Sequence, residues 1–158
     1  MLTIRPATPK DVPLILDLIR GLALYEKAPE QVVSTEADLH RALFGERPCA
    51  WVELAQWDGQ DAAYALYFYN YSTWTGKRAL YLEDLFVQPA FRGHGIGKAM
   101  LKHLAGIALK EDCTRFQWSV LDWNQPAIDF YERQGANILR EWLPCRVEGE
   151  ALVRLARD

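Results

Sequence analysis

The stretch from Ala79 to Leu121 constrains this chain more than any other. An apolar run, Ala79 to Val87, leads into Phe91-Arg92-Gly93-His94-Gly95-Ile96-Gly97-Lys98. Ile96, Met100, Leu101, Leu104, Ile107 and Ala108 then recur at helical spacing, and Phe116 to Leu121 reads as another strand. Strand, glycine-bearing turn, amphipathic helix and strand make a parallel crossover, which is right-handed in nearly all proteins. The glycines at alternate positions 93, 95 and 97 strip side chains from the backbone ahead of the helix. Free N–H groups and the positive end of the helix dipole then face whatever comes close, which suits a phosphate or pyrophosphate. Arg92 and Lys98 bring positive charge to the same place.

Two rival nucleotide signatures fit this loop poorly. A P-loop needs Ser or Thr after Gly-Lys, and Ala99 follows Gly97-Lys98. A dinucleotide fingerprint counted from Gly93 and Gly95 needs a third glycine where Lys98 stands.

The rest of the chain reads as mixed α/β. Leu2 to Arg5 is a short first strand. Thr8-Pro9-Lys10-Asp11 opens a helix with a box-like reciprocal cap, continued by Leu14, Ile15, Leu18, Ile19 and Leu22. Thr35 caps a second helix that ends near Gly45. Ala50 to Trp57 and Ala62 to Tyr71 are strands joined at Asp58-Gly59, a hairpin turn. Asn124-Gln125-Pro126 starts a helix stopped at Gly135, and Ile138 to Leu143 and Val147 to Leu155 are expected as the last strands. The expectation is one domain over 1–158, with a twisted mixed sheet of about seven strands and about four helices.

Composition narrows the partners. Lys plus Arg number 18 against 21 Asp plus Glu, a net charge of -3, so a basic face for nucleic acid is not expected. No apolar stretch is long enough to span a bilayer, and the first residues lack a secretory pattern. Cys49, Cys113 and Cys145 are too scattered for a disulfide framework or a paired metal site. A cytoplasmic protein without a metal is the expectation.

Arg92-Gly93-His94-Gly95-Ile96-Gly97 resembles the R/Q-x-x-G-x-G/A motif of the GNAT superfamily of N-acetyltransferases. Asn124-Gln125-Pro126-Ala127-Ile128-Asp129-Phe130-Tyr131-Glu132-Arg133-Gln134-Gly135 is similar to its N-x-x-A-x-x-x-Y-x-x-x-G motif, and Ile4-Arg5-Pro6-Ala7-Thr8 with Asp11 is also typical. The likeness extends to the spermidine/spermine and thialysine branch. It is carried by Tyr25-Glu26, Phe44-Gly45-Glu46, Trp74 with Gly76-Lys77, and Tyr81-Leu82-Glu83-Asp84.

The resemblance implies transfer of acetyl from acetyl-CoA to a primary amine by direct attack in a ternary complex. It places the pyrophosphate on residues 92–98. It places the pantetheine arm on a bulged strand at Leu85, Phe86 and Val87, with Asn124, Gln125, Pro126 and Ala127 near the coenzyme. Glu83 is implied as the base and Tyr131 as the proton donor to the thiolate. By spacing alone Glu83 better suits an exposed strand face or an ion pair, and Tyr131 a core position with a satisfied hydroxyl; the resemblance is what favours catalysis for both. Tyr25, Glu26, Glu83, Asp84 and Trp74 are the candidates for holding the amine.

The chain departs from the polyamine pattern at Lys27-Ala28 and at Ser72-Thr73. That favours a diamine or an amino acid with a side-chain amine, such as thialysine, at least as much as spermine. A homodimer with the site near the interface is implied too. The alternatives are a non-catalytic acetyl-CoA sensor, or an enzyme for another amine such as an antibiotic or a protein lysine.

Overall fold

The computed structural model describes residues 1–157. Its elements run β1 (Leu2–Pro6), α1 (Val12–Tyr25), α2 (Glu36–Phe44), β2 (Trp51–Trp57), β3 (Gln60–Ser72), β4 (Lys77–Val87), α3 (Ile96–Lys110), β5 (Arg115–Gln117), α4 (Gln125–Arg133) and α5 (Gly149–Arg157). The chain divides into two compact units, Met1–Ser119 and the residues from Val120 onward.

In the first unit the strands form one sheet in the order β1-β2-β3-β4-β5. The first four pair antiparallel, and β4 with β5 is the expected parallel pair, Ala79 to Tyr81 against Arg115 to Gln117. Residues of β3 alternate between two packed faces. Tyr64 and Leu66 join Val52, Leu54 and Phe86 in a core with Val12, Ile15, Leu16 and Leu18 of α1 and Leu39 and Leu43 of α2. Alanines at 63 and 65 point the other way, and their small side chains let α3 lie close. Glu53, only 6% exposed, pins that helix through a 3.0 Å contact to Nε2 of His103.

Local chemistry sets the helix starts. Arg5 grips Asp11 with two hydrogen bonds of 2.8 Å, and Asp11 in turn accepts from the Thr8 amide and hydroxyl. The Arg5 guanidinium therefore holds the Asp11 carboxyl well below the usual range. A short 3-10 turn, Pro9–Asp11, precedes α1 as a result. Gly21 of α1 sits against the Phe86 ring, where a Cβ would come within 2.9 Å of a ring carbon, so α1 crosses β4 at close range. At α2, Thr35 accepts from the Asp38 amide and Asp38 accepts from the Thr35 amide, the reciprocal box.

Four expectations need correction. Among the described residues there are five strands and five α-helices, not about seven and four. Ile138 to Leu143 is not a strand, because its amides close local turns, Arg140 to Ile138 and Trp142 to Leu139. Val147 to Leu155 contains most of helix α5 instead. Apolar density suggested a strand, but Ala151, Leu152 and Leu155 follow the helical period, and Glu150 meets Arg154 one turn on. β5 also ends at Gln117 rather than Leu121, since its ladder with β4 stops at Tyr81.

Candidate active site

The bulge of β4 lies at Glu83. Tyr67 pairs with Leu82 and the adjacent Leu66 with Asp84, which leaves Glu83 as the inserted residue. Leu85, Phe86 and Val87, expected as the bulged segment, are in regular register with Ala65, Tyr64 and Ala63. Among the described residues their other edge carries no ladder, because β5 pairs only as far as Tyr81.

The inserted residue breaks the alternation of the strand. Leu82 shares the face of Tyr67, and Asp84 the face of Leu66 and Tyr64. Glu83 is exposed, whereas Asp84 is largely enclosed and accepts a 2.9 Å hydrogen bond from the Tyr64 hydroxyl. Burial pushes the Asp84 carboxyl up to about 6; the Tyr64 hydrogen bond opposes this, and the charges of Glu83 and Glu26 add to it. Burial also raises Glu26, which caps the end of α1. Three carboxylates therefore share one electrostatic neighbourhood around a phenol that is itself fully buried.

The glycine loop is built as a cradle. Gly93 has φ +82° and Gly95, the residue capping α3, has φ +75°; a Cβ at either would meet nothing within 4 Å. The glycines thus serve backbone shape and leave open space in front of it. The amides of Ile96, Gly97 and Lys98 open the 15-residue α3 and have no carbonyl one turn earlier to receive them. His94 is folded back: its Nδ1 lies 3.2 and 3.1 Å from the carbonyls of Phe91 and Arg92, and its ring packs on Trp57. Arg92 donates from Nε to the Val87 carbonyl, and its guanidinium rests 4.8 Å from the centre of the Tyr25 ring. Lys98 is exposed on the first turn of α3. A donor set of backbone amides with two flanking cations fits a diphosphate.

Trp74 stands apart. It lies at the tip of the β3–β4 hairpin, 84% exposed. The Ser72–Lys77 rung is six residues of β3 from the Leu66–Asp84 rung, about 20 Å at the usual rise of a strand. The fold thus gathers Tyr25, Glu26, Glu83 and Asp84 from the end of α1 and the middle of β4, and leaves Trp74 outside that group.

In the second unit, the Asn124 side chain accepts from the Ala127 amide and caps α4, with Pro126 in the first turn. Gly135, at φ +90°, ends the helix as expected, and the Tyr131 carbonyl receives the amides of Gln134 and Ala136. Tyr131 is partly buried, its ring 5.4 Å from that of Phe130.

The residue that sequence reasoning passed over is Tyr64. It is the one large side chain in Ala62-Ala63-Tyr64-Ala65, deep in a core strand, where a phenol must find an acceptor. That was the available signal. Among the described residues, no three His, Cys, Asp or Glu side chains are placed to hold a metal ion, and no helix is long and apolar enough to cross a membrane.

Residues 16–136 match the model of the acetyltransferase (GNAT) family. The thialysine N-epsilon-acetyltransferase of Sus scrofa is 43% identical, over 97% of this chain and 96% of its own length. The L-ornithine N5-acetyltransferase of Arabidopsis thaliana is 31% identical over 94% of this chain and 85% of its own. Among solved structures, an integron cassette protein from the mobile metagenome of V.cholerae superposes with a TM-score of 0.83 at 28% identity, covering 99% of this chain and 98% of that one.

Proposed function

The chain belongs to the acetyltransferase (GNAT) family, and on that premise we propose that it moves the acetyl group of acetyl-CoA onto the side-chain amine of a small basic amino acid such as thialysine or ornithine. The observation that carries this acceptor is the group of three carboxylates, Glu26, Glu83 and Asp84, around the Tyr64 hydroxyl. Such a cluster attracts a single ammonium group. Long polyamines are weaker candidates, because Lys27 and the Ser72-Thr73 pair dilute the negative field that a long polycation needs, and a diamine is the alternative acceptor.

Acetyl-CoA supplies the activated thioester, and the open cradle of Gly93, Gly95 and the start of α3 fits its diphosphate. Arg92 and Lys98 neutralise the phosphate charge, and the free edge of Leu85 to Val87 takes the arm that follows. Glu83 removes the proton from the acceptor. An alkylamine with a pKa of ~10.4 is almost wholly protonated at pH 7, a deficit of roughly 5 kcal/mol, so a base at this point matters. Asn124 to Ala127 are assigned to the coenzyme by the family motif. Tyr131 is assigned the proton delivered to the departing sulfur, whose parent thiol pKa of ~8.5 already makes it a fair leaving group.

Residues 1–158 act as one catalytic domain in this reading, supported by a family match that crosses from the first unit into the second. Assembly as a homodimer belongs to it as well. Trp74, far along the hairpin from its own acidic cluster, then serves the cluster of a second copy. The three unpaired cysteines suit a reducing cytoplasm.

A thiol-release assay with acetyl-CoA over thialysine, ornithine, lysine, diamines, spermidine and aminoglycosides tests the acceptor. The highest kcat/KM is expected for a basic amino acid. A preference for spermidine or an aminoglycoside would overturn this choice. Tyr131→Phe is expected to lower kcat ~10²–10⁴-fold while acetyl-CoA affinity holds. Turnover within threefold of the parent, measured the same way, would remove Tyr131 from the mechanism.

A further inference from the structure

Tyr64 is a polar group at the centre of this site to which the steps above give no part in the chemistry. It is fully buried on β3, and its neighbours along the strand are alanines. Tyr64 pairs across the ladder with Phe86, so its hydroxyl reaches Asp84 on the diagonal, two residues along β4. The ladder is regular from Val87 to Asp84, so Asp84 shares the Tyr64 face with Phe86, and the bulge at Glu83 comes directly after it. The hydrogen bond engages Oδ2 of Asp84 and leaves the carboxylate its second oxygen.

We propose that Tyr64 is a positioning residue, whose buried hydroxyl holds the Asp84 carboxylate ionised and oriented as the anion that receives the acceptor's ammonium group, leaving Glu83 to take the proton. This rests on the amine acetyltransfer reading above.

The two acids next to each other on β4 then divide the work by environment. Glu83, exposed at the bulge, can pass a proton to water. Asp84 is enclosed, and a fixed hydrogen bond sets its direction. Three acidic groups face one another here: Asp84, its strand neighbour Glu83, and Glu26 from the end of α1. Tyr64 faces them from β3, and the Arg92 cation lies over the rings of Tyr25 and Phe86. Mutual repulsion and burial both favour a neutral Asp84, which would no longer attract a cation. A phenol that donates to the carboxylate favours the anion. The tyrosine therefore offsets the effect of the acidic surroundings on the group that needs its charge.

The test compares the wild type with Tyr64→Phe, Asp84→Asn and the double variant, each assayed across pH with the best amine acceptor. Dividing wild-type by variant kcat/KM at each pH removes the titration of the substrate. Tyr64→Phe is expected to raise KM for the amine about tenfold, the effect of losing one hydrogen bond to a charged group, with a smaller change in kcat and none in acetyl-CoA affinity. Its acid limb should move up by roughly one pH unit, since the carboxyl loses the donor that favoured ionisation. Asp84→Asn should raise KM at least as far and remove that limb, and adding Tyr64→Phe to it should change little more.

An active enzyme in which Tyr64→Phe keeps KM and the acid limb would overturn the proposal while leaving the reaction intact. So would a Tyr64→Phe effect that persists undiminished in the Asp84→Asn background. If Tyr64→Phe fails to fold, an unchanged amine KM in Asp84→Asn overturns it equally. A folded wild type that acetylates no amine at all would sink the parent reading, and this with it.

Discussion

Glu83→Gln lowers kcat for the amine acceptor ~10²–10⁴-fold at pH 7, the usual contribution of a positioned base. The substitution keeps the length and shape of the side chain and removes only its capacity to hold a proton. Its place on the strand makes it a clean probe. Glu83 is the residue inserted between the Leu82 and Asp84 rungs, and it is exposed, so no core packing depends on its charge. Stability should shift by only a few tenths of a kcal/mol, as for other surface changes. Part of the lost rate should return as pH rises toward ~10, where the free amine no longer needs a base. The comparison is kcat against pH for both proteins. A loss below tenfold at pH 7, or a deficit that does not narrow at high pH, would assign the proton to another group.

Gly95→Trp weakens acetyl-CoA binding by roughly 100-fold or more, which corresponds to ~3 kcal/mol. That is about what two charge-assisted hydrogen bonds between backbone amides and a phosphate contribute. The glycine has φ +75° and its Cβ direction opens onto empty space, so an indole there projects into the room a diphosphate would fill. It also strains the backbone, since an L-residue in the left-handed region costs ~1–2 kcal/mol. Gly95→Ala separates the two effects, because it carries the strain with little bulk. Calorimetric titration with coenzyme A should show weak binding for the tryptophan variant and far less loss for the alanine one. A folded tryptophan variant with unchanged affinity would mean that the loop holds no phosphate.

Cradle and helix caps were legible in the sequence because their chemistry is local. Gly93 and Gly95 stand at positive φ for reasons contained in a few adjacent residues, and Asn124 caps α4 through a contact three residues away. The position of the bulge was not legible. Register is a property of two strands, and nothing within Leu82-Glu83-Asp84-Leu85 says which residue Leu66 will face. Tyr64 was hidden for the same reason: its acceptor lies 20 residues away in sequence. The C-terminal stretch misled differently. Leu152, Val153 and Leu155 are close enough together to read as a strand, and the opposing Glu150, Arg154 and Arg157 reveal the helical period only when all nine residues are projected around one helix axis.

The single extra residue in β4 is an insertion that the ladder steps over. Tyr67 opposes Leu82 and the adjacent Leu66 opposes Asp84, so the two halves of the strand would meet in register without Glu83. Deleting it would take away a carboxylate and straighten the strand, while Asp84 and Phe86 stay on the Tyr64 side and Leu82 stays on the other. The disruptive change is the opposite one. Keeping the residue and forcing it into the ladder opposite Tyr67 would turn Leu82 and the residues before it to the wrong face. Homologous chains can therefore lose this position without rebuilding the sheet, and an alignment gap here would mark a protein that lacks the exposed acid but keeps the same core.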